Sequence, residues 1–177
     1  GGARTRAPVV SAVRVTGVPA TDRVAVDRRV KLRAGQRLDF HRWQEDRDAV
    51  EAYFHARGYR EARVRVVREE DRGDPDSLAV EYRVERGPLA RLSVQGFALS
   101  EDARRDIEAA WETAVFDGFL AEDARSRVLE ALAGRGYVRP LVRVEVRLEG
   151  AGEERVKTLH VESEHGEKFT DQEIIDH

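Results

Sequence analysis

The feature that most constrains the fold of this 177-residue chain is an internal repeat. Gly58-Tyr59 recurs 78 positions later as Gly136-Tyr137, and Val15-Thr16-Gly17 recurs 79 positions later as Val94-Gln95-Gly96. A third pair of glycines keeps the same distance. The sequence is therefore predicted to contain two copies of one unit. Each copy is long enough to form a small domain with its own modest core.

The repeat also predicts where the two units begin and end. Gly87 and Gly166, which are 79 positions apart, stand near the ends of the two copies. The first domain is expected at residues 8–87 and the second at 88–169. Residues 170–177 are interpreted as a tail or as the start of a truncated further element.

The first copy is predicted to run strand, helix, helix, strand, strand. Alternation places four residues on one face of the first strand: Val9, Ser11, Val13 and Val15. Thr21 is expected to cap a short helix near residues 22–32, and a clearer helix follows at about 41–57. The last two strands are predicted at 62–68 and 78–84, joined by a polar loop over 69–77.

The second copy repeats this order. Ser100 followed by two acidic residues is typical of a helix start. A loop is predicted at 116–119, a second helix at 121–134, and strands at 142–148 and 155–163. Short loops and one-sided alternation predict an α+β fold in which each copy packs both helices on one face of a three-stranded sheet.

Composition excludes several classes of function. The absence of Cys excludes a disulfide scaffold, a thiol nucleophile and a Cys-based zinc site. No His pattern typical of metal ligands occurs, and no motif for phosphate or dinucleotide binding is present. The sequence therefore predicts no catalytic residues, no metal and no cofactor.

The repeated pattern resembles POTRA (polypeptide-transport-associated) domains, in particular those of the BamA/TamA superfamily of outer-membrane assembly factors. The resemblance covers roughly residues 8–169, and the order and repetition of short motifs carry it. In the first copy these motifs are Val15-Thr16-Gly17, Gly35-Gln36-Arg37-Leu38, Gly58-Tyr59 and Gly87-Pro88. In the second copy they are Val94-Gln95-Gly96, Gly136-Tyr137 and Gly166.

This resemblance implies a non-catalytic module on the periplasmic side of the outer membrane. Its implied partners are unfolded outer-membrane or secreted polypeptides, accessory assembly proteins and a covalently attached barrel domain. It also implies that each sheet is mixed, with the second strand of the copy at an edge that can accept a client strand.

Physical reasoning independently points to the sheet edges. A three-stranded sheet leaves two edges with unpaired backbone groups, and an extended peptide can add to such an edge. The candidate client-binding residues are Arg63, Val64, Arg65, Val66, Val142, Arg143, Val144, Glu145 and Val146. The charges among them could equally serve only to protect the edge against aggregation. Phe116 and Phe119 are predicted as further exposed contacts.

Two other interpretations remain open. The units could be tandem α+β domains that bind nucleic acid, or the POTRA part of a two-partner secretion or patatin-type barrel protein. The charge pattern argues against nucleic acid, because 31 basic residues are interspersed with 34 acidic ones for a net charge of −3. A phosphate-binding surface requires the positive charge to be segregated on one face.

Overall fold

A computed structural model describes residues 6–164 of the chain. The chain divides between Gly87 and Pro88 into two compact units. Gly166 and the predicted tail at 170–177 lie outside the described residues. Each unit contains a three-stranded mixed sheet and two helices, so the predicted α+β fold of tandem βααββ units is confirmed.

The first unit is built around its last strand. Its elements are β1 (Val9–Thr16), α1 (Arg23–Asp27), α2 (Phe40–Ala56), β2 (Arg63–Asp71) and β3 (Asp74–Glu85). The middle strand, β3, pairs in parallel with β1 and antiparallel with β2. Alternate residues of β3, among them Val80 and Tyr82, are buried in one cluster with Val50 and Phe54 of α2.

The second unit has the same strand order. Its elements are β4 (Leu89–Gln95), α3 (Glu101–Thr113), α4 (Asp117–Gly134), β5 (Leu141–Glu149) and β6 (Val156–Glu164). The middle strand, β6, pairs in parallel with β4 and antiparallel with β5. The core buries Trp111 of α3, Val128 of α4 and Leu159 of β6. Ser100 caps α3, as predicted, by accepting a hydrogen bond from the Ala103 N–H at 3.1 Å.

A glycine follows the first strand of each unit for the same steric reason. Gly17 and Gly96 have positive φ angles of 79° and 89°, a region that residues with a Cβ rarely adopt. A Cβ on Gly17 would overlap the carbonyl oxygen of Val84 in the middle strand. A Cβ on Gly96 would overlap the carbonyl oxygen of Ser163. The motif therefore lets the chain leave the first strand in close contact with the backbone of the middle strand.

The predicted face of β1 was wrong at its start. The register between β1 and β3 shifts between Val10 and Ala12, which leaves Ser11 as an extra, exposed residue. Such a bulge reverses which side of the strand the preceding residues occupy. Val10 is consequently buried, and Ser11 does not share a face with Val15.

Three further boundaries differ from the predictions. The helix expected near 22–32 is only the five-residue α1, and Thr21 lies inside the preceding 3₁₀ turn, Ala20–Asp22, rather than capping a helix. The loop expected at 69–77 is a tight turn, because β2 extends to Asp71 and β3 begins at Asp74. The loop expected at 116–119 is mostly helical, since α4 begins at Asp117.

Asp46 of α2 holds together the irregular chain that precedes this helix. Its carboxylate is 1% exposed and accepts hydrogen bonds from the backbone N–H groups of Lys31 and Leu32 at 2.9 and 3.0 Å. It also accepts a hydrogen bond from the hydroxyl of Tyr82 at 2.9 Å. A buried carboxylate needs such donors to replace water. This cluster therefore connects the segment before α2 to the middle strand.

We expect Gly17→Ala to lower the free energy of unfolding by about 3 kcal/mol or more. A left-handed backbone costs a residue with a Cβ about 1–2 kcal/mol, and here overlap with the Val84 backbone is added. Gly35→Ala is the matched control, because Gly35 has a φ of 90° but nothing lies within 4 Å of the added Cβ. Urea denaturation measures both. Equal losses would contradict the close approach at Gly17.

We expect Asp46→Ala to lower the free energy of unfolding by about 3–5 kcal/mol, because it removes a buried acceptor from two backbone donors and a hydroxyl. The control is Asp48→Ala on the same helix, whose exposed side chain is ion-paired only with Arg47 at 3.3 Å. That change should cost less than about 0.5 kcal/mol. Similar losses for both variants in urea denaturation would show that the Asp46 cluster is not needed.

The raised pKa of Tyr82 leads us to expect a loss of stability at alkaline pH. Burial, reinforced by the negative charge and hydrogen bond of Asp46, raises the pKa of Tyr82 far above its ordinary value of 10.0. Above pH 10 the Tyr82 hydroxyl loses its proton in the unfolded chain but keeps it in the folded chain. The free energy of unfolding therefore falls by about 1.4 kcal/mol per pH unit. Tyr82→Phe should reduce this slope, measured by urea denaturation at several pH values. An unchanged slope would contradict the raised pKa.

Candidate functional site: an open sheet edge

The β1 edge of the first sheet is covered at both ends by other parts of the chain. The backbone N–H of Val10 donates to the Gln36 carbonyl, and the Gly35 N–H donates to the Val10 carbonyl, both at 2.8 Å. The Leu38 N–H similarly donates to the Pro8 carbonyl at 2.8 Å. Residues 35–38, one of the short sequence motifs, therefore cover the start of this edge. Arg23 covers its other end by donating to the Val15 carbonyl at 2.6 Å.

The opposite edge, formed by β2, presents alternate backbone groups away from the sheet. The Val84 carbonyl lies against Gly17, on the β1 side of the middle strand. In an antiparallel pair, a residue directs its N–H and C=O to the same side, so Val84 does not bond to its partner Val64. The backbone groups of Val64 therefore point to the open edge. By the same alternation, those of Val66 and Arg68 do as well.

A groove runs beside this open edge. Its volume is about 480 Å³, and its walls come from α2 and β2: Phe40, Trp43, Gln44, Arg47, Val64, Arg65, Val66 and Val67. The rings of Phe40 and Trp43 are 5.3 Å apart, and the Arg68 guanidinium lies 4.8 Å from the centre of the Trp43 ring. An extended peptide added to β2 would thus place alternate side chains over an aromatic surface.

The predicted residues of β2 lie on two faces of this strand. Val64 is buried and Val66 is half-buried against the core, on the side that carries the helices. Arg63 and Arg65 lie on the opposite face, where Arg65 forms an ion pair with Glu85 at 3.1 Å. The structure therefore brings the four residues together on one edge strand. Their binding of a client strand stays a prediction.

The predicted residues of β5 have the same arrangement in the second unit. Val142 is buried, and Val144 and Val146 pack against the core from one face. Arg143 and Glu145 lie on the opposite face. The Arg147 guanidinium donates to Glu145 at 2.7 Å, and this hydrogen bond lowers the pKa of the Glu145 carboxyl below its ordinary value.

Phe116 and Phe119 lie together on the surface of the second unit. Their side chains are 64% and 66% exposed, and their rings are 5.7 Å apart. Phe119 also lines a groove of about 490 Å³ between α3 and α4. These residues lie at the start of α4 and do not belong to the β5 edge. Their role as contacts stays a prediction.

Several residues of the edge were not predicted from the sequence. The helix residues Phe40, Gln44 and Arg47 form one wall of the groove, and none of the three was among the predicted client-binding residues. Phe40 immediately follows the residue that caps α2, and its 57% exposure places it at the rim of the groove. The sequence feature that could have indicated this wall is the aromatic residue Phe40 at the start of the helix.

The described residues contain neither a metal-binding cluster nor a helix suited to span a membrane. Between residues 6 and 164, no cluster of three or more acidic or His side chains could hold a metal ion. In the same part of the chain, no helix combines the length and apolar character needed to span a membrane.

Comparison with protein families gives a match for the first unit. The POTRA family model, described as "Surface antigen variable number repeat", matches residues 8–87. No curated protein sequence matches the chain.

Among solved structures, the chain is similar to POTRA4 of Haemophilus influenzae BamA, with 19% identity and a TM-score of 0.44 over 48% of this chain and 98% of that one. It is also similar to POTRA3-5 of the same protein, with 20% identity and a TM-score of 0.45 over 88% of this chain and 61% of that one. POTRA1-2 of Omp85 from Anabaena matches with 18% identity and a TM-score of 0.42, over 90% of this chain and 96% of that one.

The family match covers the first unit, from the strand before Gly17 to the Gly87-Pro88 motif. The second unit repeats its strand order, its helices and its glycine against the middle strand. The first unit, residues 8–87, therefore matches the POTRA family model over its whole length.

Proposed function

We propose that this chain is a non-catalytic scaffold module of an outer-membrane protein assembly or polypeptide-translocation factor, and that it receives extended client segments by strand addition. The observation that carries this proposal is the contrast between the two edges of the first sheet. The start of the β1 edge is covered by backbone hydrogen bonds with residues 35–38, and the β2 edge is open beside an aromatic groove. Backbone pairing is largely independent of sequence, which suits a factor with many clients.

The family match supports the setting in which this module acts. We place the chain on the periplasmic side of the outer membrane, as part of a protein with an attached barrel. Its clients are unfolded outer-membrane or secreted polypeptides. Accessory assembly proteins would dock elsewhere, and the exposed pair Phe116 and Phe119 beside the α3–α4 groove is our candidate for that contact.

The arrangement of charge favours this proposal over nucleic-acid binding. On the face of the first sheet opposite the helices, Glu81 forms ion pairs with Arg14 and Arg83, at 3.5 and 2.9 Å. On the same face, Arg65 is paired with Glu85. Cations that alternate with anions in this way do not form the continuous positive surface that phosphates require.

The test is titration of the full chain with a blocked nine-residue peptide of alternating Thr and Val or Phe residues, followed by backbone chemical shifts. At about 1 mM peptide, shifts are expected along 62–68 and 141–147, because these edge strands acquire new hydrogen bonds. Unchanged shifts along both strands would contradict strand addition. Salt-sensitive binding of a nucleic acid in a gel-shift assay would instead favour the nucleic-acid interpretation.

Proline variants sharpen this test. Val66→Pro removes an N–H that points to the open edge. It breaks no hydrogen bond within the sheet, so the fold should persist while strand addition to β2 is lost. Val144→Pro makes the corresponding change in β5. Each variant is the control for the other, because each should abolish the peptide-induced shifts in its own unit only. Loss of shifts in both units, or in neither, would contradict two separate acceptor edges.

A further inference from the structure

Each edge strand already carries one side-chain hydrogen bond on its open side. In the first unit, Oε1 of Glu51 on α2 accepts a hydrogen bond from the Val64 N–H at 3.1 Å. In the second unit, Nε of Arg125 on α4 donates to the Val142 carbonyl at 3.3 Å. Val64 and Val142 are 78 positions apart and occupy the same place in the two copies.

Two independent contacts show that these bonds lie on the open side. The Val84 carbonyl is directed toward Gly17 and the Ser163 carbonyl toward Gly96, away from the edge strands. Val64 and Val142 are the partners of these two residues, so their backbone groups face outward. Within the described chain, the outward backbone groups of the next alternate residues, Val66 and Val144, have no such side-chain partner.

We propose that Glu51 and Arg125 set the register in which a client strand adds to each edge. This inference rests on the proposed function of strand addition. Because each side chain occupies an outward group at the first position of its edge, an added strand pairs fully only from Val66 or Val144 onward. Extending the pairing to Val64 would require the strand to displace a hydrogen bond with a charged acceptor, which is stronger than one between neutral groups.

Glu51 and Arg125 have opposite hydrogen-bonding roles. Glu51 occupies a donor and leaves the Val64 carbonyl facing the edge, whereas Arg125 occupies an acceptor and leaves the Val142 N–H facing it. The end of an added strand therefore meets an available acceptor in the first unit and an available donor in the second. The two edges consequently differ in how they terminate a client strand, although both use the same position of the fold.

The first arm of the test needs no client. Amide hydrogen exchange is measured by NMR on the full chain and on Glu51→Ala, which removes the acceptor. The Val64 amide should exchange about tenfold faster or more in the variant, and the Val66 amide should be unaffected. Glu51→Gln keeps an acceptor oxygen and should retain most of the protection. Glu45→Ala is the matched control, because Glu45 is an exposed carboxylate on the same helix with no hydrogen bond within residues 6–164. Equal Val64 exchange in the parent chain and in Glu51→Ala would overturn the proposal.

The second arm adds the blocked alternating peptide used above. In the parent chain the peptide should newly protect the amides of Val66 and Arg68 and leave Val64 as it was. In Glu51→Ala the protection should extend to Val64, and the affinity should rise about two- to tenfold through the additional bond. Arg125→Ala should similarly raise affinity at β5 without changing the exchange of β2 amides.

The outcomes separate this inference from the proposed function. If the peptide binds neither the parent chain nor Glu51→Ala, strand addition at β2 is wrong, whatever the first arm shows. If it binds both with the same affinity and the same protected amides, strand addition stands and Glu51 does not set the register. Protection of Val66 and Arg68 in the parent chain, extended to Val64 in the variant, supports both.

Discussion

The close approach between the end of the first strand and the middle strand is the constraint on which each unit depends. Because Gly17 has no side chain, the Val84 carbonyl can lie against the backbone that leaves β1. That contact fixes the side to which Val84 directs its backbone groups, and hence the side to which its other neighbour, Val64, directs its own. A glycine that ends one edge strand thus helps determine which backbone groups the opposite edge offers to a partner. Gly96, Ser163 and Val142 repeat this relation in the second unit.

Local patterns were sufficient to predict the elements with strong periodicity. Alternation predicted β3, in which Val80 and Tyr82 are buried, and helical periodicity predicted α2, in which Val50 and Phe54 are buried. The face of β1 could not be predicted in the same way. Residues 9 and 10 are both valine, so the sequence is compatible with either residue facing the core. No local pattern indicates that Ser11 is an extra residue in the strand. Pairing with β3, which is distant in sequence, decides between the two faces.

The two copies differ where the chain before the longer helix is irregular. In the second unit this chain is α3, whose interior N–H groups are bonded within the helix, and the position of Asp46 is taken by the buried Ala124. In the first unit the corresponding backbone groups of Lys31 and Leu32 have no such helix, and Asp46 accepts their hydrogen bonds. The partner of Asp46, Tyr82, likewise corresponds to Val161 in the second unit. The repeat predicted that the two copies share a fold. It did not predict that a polar cluster in the first unit is replaced by apolar residues in the second, because this difference depends on contacts that aligning the two copies does not show.

The same limitation applied to the candidate site. Alternation located β2 and β5, but the residues that cover or obstruct the edges come from other elements, and their local sequence does not show which edge they contact. Residues 35–38 cover β1 through backbone hydrogen bonds, while Glu51 covers β2 through a single side-chain bond.

These two kinds of cover differ in how many backbone groups of the edge they occupy. Backbone cover is released only if residues 35–38 detach from the sheet, which breaks several bonds together. The Glu51 side chain occupies only the Val64 N–H and leaves the outward backbone groups of Val66 and Arg68 available. An open edge must resist aggregation yet accept a client. Backbone cover at the start of β1 and a single occupied group on β2 meet both requirements, and they direct strand addition to β2 from Val66 onward, beside the aromatic groove.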